Sequence, residues 1–533
     1  MSLPRSDLVR RILLFILIGA GLSACVTPQL YRPRTVEPVT GGSFRDHVCE
    51  ASAQNTCADA ALVHRHFSYE GKPHDYYLGF VEFDDQGWFW DRKQMEALLR
   101  LLHQQQQAEK NEFLIILYAH GWQHNADACD NNVVCFQRVL ERFKVLESQG
   151  RGTPRTVVGV YVGWRGRSLS ADLTLLDKLS FWQRKNSAQR VGNGGVTQLL
   201  SALDEFRRFK NPDREHTKTQ FLIAGHSFGG KVVYSAIKGQ LVANATRMER
   251  ANNGLTYPTA TGFGDLVVLV NPAFEGSLHE PLHDAAANRC FPEAQQPALL
   301  IVTSETDYAT RMAFPIGRWF NTRFQALSAR RSDPEQSEAI VKTVGHLDRY
   351  RTHTLSLIDP SQDRHEQGDG DAACGCPLLS PIGAYDVAAD TAFIRALDRT
   401  ARAPVRDSTA RYRLTDEGST EREFRYGDNL LLTRESPADY DPDQAHRVGE
   451  YAPNHPYLVI RARKELIRDH GDIYDEDFVD FVRRFYLRHI NERVNFPAAC
   501  FRDVSACVAS DITPCERACR RSDGASCSGR PER

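Results

Sequence analysis

The chain has 533 residues, of which 41% are hydrophobic and 25% charged, and its formal net charge at pH 7 is −2. This length allows two or three domains, and the hydrophobic content supports a substantial core. The nearly neutral charge gives no indication of a nucleic-acid-binding surface. No apolar run beyond the N-terminal one is long enough for a further membrane span. The composition therefore argues against nucleic-acid-binding and multi-span membrane proteins.

Residues 1–24 are predicted to be a signal peptide. Arginines at the start precede an apolar run of 11 residues at 12–22, which is too short to span a bilayer comfortably. The run ends in Leu-Ser-Ala-Cys25, which resembles the lipobox of bacterial lipoproteins and implies lipidation of Cys25. An ordinary secretory signal with an incidental cysteine is the alternative. Val26, where an aspartate would indicate inner-membrane retention, favours an outer-membrane anchor facing the periplasm.

The cysteines fit an exported protein. Cys25 is one of 13 cysteines, so an even number is left for pairing. The spacing makes Cys49–Cys57 and Cys129–Cys135 plausible local bridges. Five cysteines after residue 499 predict a small disulfide-stapled tail, and a zinc knuckle is the competing interpretation.

The expected organisation places a linker and a cysteine-bearing segment at 25–70. A core at 71–310 follows, then an irregular insertion or cap at 311–450. The core is expected to end at 451–495 with a last strand, a histidine and a final helix. The cysteine-rich tail occupies 496–533.

In chain order, the first regular elements are a strand-like run from Tyr76 and a helical pattern in RKQMEALLRLLHQQQQ. Continuous apolar runs bounded by turn signals follow at 112–121, 156–164, 220–227, 265–272 and 297–307, with helix-like stretches between them. Such alternation predicts a mostly parallel sheet covered by helices on both faces. Chemistry on such a sheet collects at the carboxyl ends of the strands.

The stretch AGHSFGG at 224–230 lies between an apolar strand and an apolar helix. Gly225 and Gly229 flank Ser227 at two residues on either side, where side chains would collide in a sharp turn that presents the serine. A structural glycine turn is the alternative, but the strand and helix on either side favour a nucleophile at Ser227.

This segment resembles the nucleophile elbow of the α/β-hydrolase superfamily, and GHSFGG is similar to the version found in esterases and lipases. The resemblance covers about 76–310 and 455–490, and the chain resembles bacterial lipoproteins with this fold. It implies an oxyanion-hole turn after an earlier strand, where His120-Gly121 matches the family's HG motif. The backbone N–H groups of Trp122 and Phe228 are then the expected donors. A metal pair formed by His120 and His124 is the rival interpretation.

The resemblance also implies an acid after the next-to-last strand and a histidine later in the chain. Asp307 is favoured as the acid over Glu305, since it lies a few residues past the strand. His470 is favoured as the base because a strand and a short loop precede it and an apolar helix follows. His353 and His346 remain alternatives.

The expected function is a lipid-anchored serine hydrolase that cleaves carboxylic esters through an acyl-enzyme, with no metal or organic cofactor required. Its expected partners are an ester substrate, with lipids as a candidate class, and the membrane through the anchor. An acyltransferase with the same triad and a non-catalytic envelope lipoprotein that binds a partner are the alternatives.

Overall fold

The computed structural model describes residues 29–35, 48–51, 57–109, 112–149, 153–166, 184–211, 219–250, 256–258, 260–287, 289, 291, 295–315, 318, 334–362, 374–388, 390–395, 423–426, 428–434 and 455–490. The predicted signal peptide, Cys25 and the tail at 496–533 lie outside these residues. Within the described ranges, no helix combines the length and the apolar character needed to cross a membrane.

The strands are β1 Cys49–Ala51, β2 Leu62–Tyr69, β3 Lys72–Phe83, β4 Phe113–Ala119, β5 Thr156–Trp164, β6 Gln220–His226, β7 Met248–Arg250, β8 Thr256–Pro258, β9 Leu266–Val270, β10 Leu299–Ser304, β11 His353–Leu357, β12 Glu423–Tyr426, β13 Leu430–Arg434 and β14 Tyr457–Ala462. The main helices are α1 Arg92–Glu109, α2 Asn131–Gln149, α3 Thr197–Lys210, α4 Phe228–Ala245, α5 Gly276–Ala287, α6 Pro334–Val341 and α7 Glu476–His489. The five apolar runs singled out in the sequence form β4, β5, β6, β9 and β10.

Twelve strands form one sheet in the order β1-β2-β3-β5-β4-β6-β9-β10-β14-β11-β13-β12, and β7 pairs with β8 separately. All neighbours from β3 to β11 in this order are parallel. The pairs β2–β3, β11–β13 and β13–β12 are antiparallel. The prediction of a mixed α/β chain with a mostly parallel sheet is therefore confirmed.

Both faces of the sheet are covered. Successive residues of β4 alternate between two apolar cores, with Phe113 and Ile115 in one and Leu114 and Ile116 in the other. The first core is completed by side chains of α1, α3, α4 and α5, and the second by side chains of α2 and α7. Burial on both faces explains why these strands are continuously apolar rather than alternating.

The sheet extends beyond the expected core at both edges. In the segment expected as a linker, β1 and β2 join the sheet, so the boundary drawn at residue 71 falls inside an antiparallel hairpin. In the segment expected as an insertion or cap, β11, β12 and β13 lengthen the sheet next to β14. The described part of 311–450 is therefore inserted between β10 and β14 in chain order, but its strands extend the sheet instead of covering it.

Three disulfides lie in the described residues. Cys49–Cys57 is confirmed as a local bridge. The expected Cys129–Cys135 bridge is wrong, because Cys129 pairs with Cys374 and Cys135 with Cys376. The segment that contains Cys374 and Cys376 packs against α2, where Arg138 donates to the backbone oxygens of Cys376 and Leu379.

The two long-range bridges close almost the same loop, so we expect their contributions to be strongly non-additive. Replacing Cys129 and Cys374 by Ala leaves the loop closed by Cys135–Cys376 and should cost about 1 kcal/mol or less. Removing all four cysteines releases a loop with a sequence separation of more than 240 residues. The chain-entropy relation gives about 5 kcal/mol for a loop of that size. Urea unfolding without reductant measures the loss of stability in both variants. Losses that simply add, with each bridge contributing an equal share, would contradict this account.

Candidate active site

Ser227 lies at the carboxyl end of β6, directly before α4, in an unusual backbone conformation. Its φ is 54° and its ψ is −119°, a region that costs a residue with a side chain on the order of 1–3 kcal/mol. Three backbone hydrogen bonds hold it there. The Ser227 N–H donates to the oxygen of Val270, and its carbonyl accepts from the N–H groups of Ala273 and Lys231. The surrounding chain thus imposes the strained turn.

The glycines around Ser227 permit a close approach between α4 and the sheet. A Cβ on Gly229 would lie 2.0 Å from the backbone oxygen of Ala119, at the end of β4. A Cβ on Gly225 would lie 2.8 Å from the backbone oxygen of Gly229. Both contacts are far shorter than a carbon side chain tolerates, so the steric requirement inferred from the sequence is present at both positions.

The structure brings Ser227, His470 and Asp307 together. The Nε2 atom of His470 lies 2.7 Å from Oγ of Ser227, and its Nδ1 atom lies 2.9 Å from Oδ1 of Asp307. Ser227 and Asp307 are buried, whereas the His470 side chain is 22% exposed. The three residues follow β6, β10 and β14, which are close neighbours in the sheet, so their carboxyl ends meet at one edge.

Asp307 is held by a second set of hydrogen bonds. The backbone N–H of Thr310 donates to Oδ1 of Asp307 at 3.0 Å, and the Thr310 hydroxyl donates to Oδ2. Burial opposes ionisation of this carboxyl, but His470 and these donors keep the pKa of Asp307 below its ordinary value. Asp307 therefore carries its negative charge at neutral pH.

The Thr310 hydroxyl has a further partner in His346, whose Nε2 lies 2.9 Å from it. Because the hydroxyl hydrogen is used on Asp307, His346 must donate through Nε2–H. Burial lowers the pKa of His346 to about 4, so the ring is neutral at pH 7. His346, one of the alternative bases, therefore contacts the Thr310 hydroxyl, which in turn donates to Asp307.

The loop that carries His470 is pinned to the neighbouring strand ends. The backbone oxygen of His470 accepts hydrogen bonds from Nε2 of His226 at 2.8 Å and from Nδ2 of Asn271 at 3.0 Å. Asn271 has a φ of 45° and also accepts the N–H of Ser304. The hydroxyl of Ser304 donates to the oxygen of Ile467 at 2.6 Å. These contacts fix the position of the imidazole relative to Ser227.

Asn271 and Thr310 are parts of the site that were not predicted from the sequence. Asn271 stands directly after β9, so its position at the carboxyl end of a central strand was the available signal. Thr310 lies three residues after Asp307, where a hydroxyl can reach back to a carboxylate. His226, within the AGHSFGG stretch, also belongs to the site, because its Nε2 supports the His470 loop. Its Nδ1 is buried and has no hydrogen-bond partner among the described residues.

The HG turn after β4 packs directly against Ser227. A Cβ on Gly121 would lie 3.0 Å from Cβ of Ser227, and Trp122 is the next residue. Phe228, the other expected donor, begins α4 immediately after Ser227. The HG turn therefore lies next to Ser227, as expected for the turn that carries Trp122.

His120 and His124 hold the HG turn. His120 accepts the N–H of Trp164 at Nε2 and donates from Nδ1 to the oxygen of Gly121. Burial lowers the pKa of His120 to about 4. The ring nitrogens of His124 contact Asp130 and Asn132. Both imidazoles are therefore engaged in structural hydrogen bonds rather than paired around a common point.

The other candidate residues, His353 and Glu305, have partners outside the group formed by Ser227, His470 and Asp307. His353 begins β11, where its Nδ1 contacts the Thr352 hydroxyl, and burial lowers its pKa to about 3. Glu305 forms an ion pair with Arg463 at 2.8 Å. His346 also lines a cleft of about 940 Å³, whose lining includes the carboxylates of Glu305 and Asp348 and five basic side chains, Arg311, Lys342, Arg351, Arg461 and Arg463.

The glycine contacts predict opposite effects for two alanine substitutions in α4. Gly229→Ala should destabilise the protein by about 3 kcal/mol, because the new methyl group must displace the backbone of β4. Gly239→Ala is the matched control, since a Cβ there meets nothing within 4 Å. It should stabilise the protein by about 0.5–1 kcal/mol through helix propensity. Thermal unfolding measures both, and equal effects would contradict the close approach at Gly229.

Comparison of the chain with protein-family models, curated proteins and solved structures found no match.

Proposed function

We propose that this protein is a serine hydrolase that cleaves carboxylic esters, with Ser227 as nucleophile, His470 as general base and Asp307 as the orienting acid. The hydrogen-bonded series from Ser227 through His470 to Asp307 carries the proposal. The residues occur in the chain order Ser, Asp, His, as in α/β-hydrolases. We propose that fold for the parallel part of the sheet.

The contacts of His470 specify which nitrogen holds the proton. Ionised Asp307 can only accept a hydrogen bond, so the Nδ1 atom of His470 donates to it. Nε2 then presents a lone pair to the Ser227 hydroxyl, 2.7 Å away. This tautomer is the one that a general base requires.

In the proposed reaction, Ser227 Oγ attacks the ester carbonyl carbon while Nε2 of His470 takes the hydroxyl proton. Collapse of the tetrahedral intermediate breaks the bond to the leaving alcohol, which receives that proton. Water then attacks the acyl-enzyme and gives a proton to His470, which returns it to Ser227 Oγ as the second tetrahedral intermediate breaks down and releases the acid. Asp307 stabilises the imidazolium in both steps without taking a proton.

The negative charge that develops on the carbonyl oxygen needs donors beside Ser227. We propose the backbone N–H groups of Trp122 and Phe228 for this role. The contact between Gly121 and Ser227 supports it, as does the position of Phe228 at the N-terminus of α4. The helix dipole adds a favourable potential at that end. Loss of one such donor typically costs about 3 kcal/mol in the transition state.

The proposal includes export and a lipid anchor at Cys25. The three disulfides support export, since such bridges persist in oxidising compartments. A membrane-anchored hydrolase on the periplasmic side would meet ester-containing lipids, which we propose as a candidate substrate class. The mechanism assigns every step to side chains and backbone amides of the chain.

Hydrolysis of p-nitrophenyl acetate and butyrate tests the proposal. Ser227→Ala should lower kcat by at least about 10⁴-fold. Asp307→Asn, which keeps the shape but reverses the tautomer preference, should lower kcat by about 10⁴-fold. His470→Ala should lower kcat by a comparable or larger factor.

His353→Gln is the control for the base, and it should retain activity within about twofold. Far-ultraviolet circular dichroism establishes that each variant is folded. Full activity in folded Ser227→Ala would refute the hydrolase. Loss of activity in His353→Gln with retention in His470→Ala would reassign the base.

Thr310 provides a test of the positioning network. Thr310→Val removes the hydroxyl that links Asp307 to His346 and should lower kcat about tenfold, with KM changed less than twofold. The size corresponds to part of the roughly 1.5–3 kcal/mol of a hydrogen bond to a charged group. Thr310→Ser keeps the hydroxyl and should stay within about twofold of the unsubstituted protein. Equal kinetics for the two variants would show that the hydroxyl has no part in positioning Asp307.

A further inference from the structure

A compact group of ligand-type side chains lies at the β1 edge of the sheet, away from Ser227. Glu50 is on β1, and His64 and His66 are on β2. The two strands are parallel, with Glu50 opposite His64 in the register. Residues two apart on a strand point to the same face, so both imidazoles project beside the carboxylate.

The potential ligand atoms converge on one point. The Nε2 atom of His66 lies 2.6 Å from Oε2 of Glu50, and the Nδ1 atom of His64 lies 3.0 Å from the same oxygen. All three atoms lie within 4.8 Å of one another. Among the described residues, this is the one group of at least three histidine, cysteine, aspartate or glutamate side chains whose ligand atoms converge in this way. Zinc–ligand distances of about 2.0–2.2 Å place tetrahedral ligand atoms about 3.4 Å apart. Shifts of about an ångström would accommodate an ion.

The second nitrogen of His64 has a partner that suits a metal ligand. Nε2 lies 2.9 Å from Oδ2 of Asp75 on β3, so carboxylates face both ring nitrogens. A neutral imidazole has one N–H and can satisfy only one of them. Either a proton or a metal ion at Nδ1 satisfies the other. Metal-bound histidines commonly donate their remaining N–H to a carboxylate in this way.

The surroundings orient the group and leave it accessible. The His64 ring stacks on Tyr77 at 4.2 Å, with an angle of 12° between the planes. The Glu50 and His66 side chains are about half exposed, at 54% and 49%. An ion could enter from solvent, and water could complete its coordination. The Cys49–Cys57 bridge lies next to Glu50 and restrains β1.

We propose that Glu50, His64 and His66 bind a divalent transition-metal ion of the zinc type, with Asp75 orienting His64. The ion links β1 to β2 and so clips the N-terminal segment to the edge of the sheet. β1 and β2 are separated from β6 by three strands in the sheet order. The ion therefore stabilises the fold without taking part at Ser227. Binding to the folded state alone raises stability with ion concentration.

Titration of the full-length, metal-stripped protein with Zn²⁺ in a calorimeter tests the proposal. Binding at this site should have a Kd of about 1 μM or tighter. His66→Ala and Glu50→Gln should each abolish the binding of one equivalent of Zn²⁺ or weaken its affinity at least about 100-fold. Asp75→Asn should weaken binding about 10–100-fold without changing the stoichiometry. His103→Ala, at an exposed histidine of α1, is the matched control and should bind as the unsubstituted protein does. Saturating Zn²⁺ should raise the Tm of the unsubstituted protein and of His103→Ala, but not that of His66→Ala.

Cysteines elsewhere in the chain could also bind zinc, so the spectrum of bound Co²⁺ serves as a second measurement. The proposed site has nitrogen and oxygen ligands and should contribute visible bands without thiolate charge-transfer absorption. His66→Ala should lose those bands alone. The proposal is overturned if folded His66→Ala and Glu50→Gln bind the same number of Zn²⁺ ions as the unsubstituted protein with the same affinity. It is equally overturned if none binds, in which case the group is a protonated ion-pair cluster.

Discussion

The backbone of Ser227 is the constraint on which the site depends. Its positive φ turns the chain sharply from β6 into α4, and this is possible only because α4 approaches the sheet at Gly229 with no side chain between them. The same approach brings Gly121 against Ser227. One steric requirement therefore sets the position of the hydroxyl, the helix N-terminus and the HG turn together.

The imidazole must then reach that hydroxyl from a distant part of the chain. His470 lies eight residues beyond β14, and its backbone is held in place because Asn271 and His226 both donate to its oxygen. Asn271 bridges to β10 as well, through the N–H of Ser304. The strand ends thus hold the loop by hydrogen bonds between backbone and side chains, and the ring needs only Asp307 to fix its rotation.

Much of the central sheet could be predicted from sequence, because its signals are local. The same holds for Ser227, Asp307 and His470, which meet at the carboxyl ends of its strands. Continuous apolar runs mark buried parallel strands, and the glycines around Ser227 have a steric reason that is visible in seven residues. His470 was preferred over His353 because the elements on both sides of it identify a strand end. The structure brings His470 to Ser227 and Asp307, and it places His353 at the start of β11.

The rest depended on contacts distant in sequence, which no local pattern encodes. Cys129 and Cys374 are separated by 245 residues, so spacing alone favoured the wrong partner. The strands within 311–450 are short and lie among polar segments, which hid their place at the sheet edge. The group around Glu50 and His64 likewise arises only when β1 pairs with β2.

Covalent labelling tests the central claim, a nucleophilic serine activated by His470, without knowledge of the substrate. The purified protein is treated with a fluorophosphonate at pH 7.5, and the modified peptide is identified by mass spectrometry. The account predicts one adduct per chain, located on Ser227, and a rate of labelling at least about 100-fold lower in His470→Ala. Absence of an adduct on Ser227 in the folded protein, or an unchanged rate in His470→Ala, would contradict it.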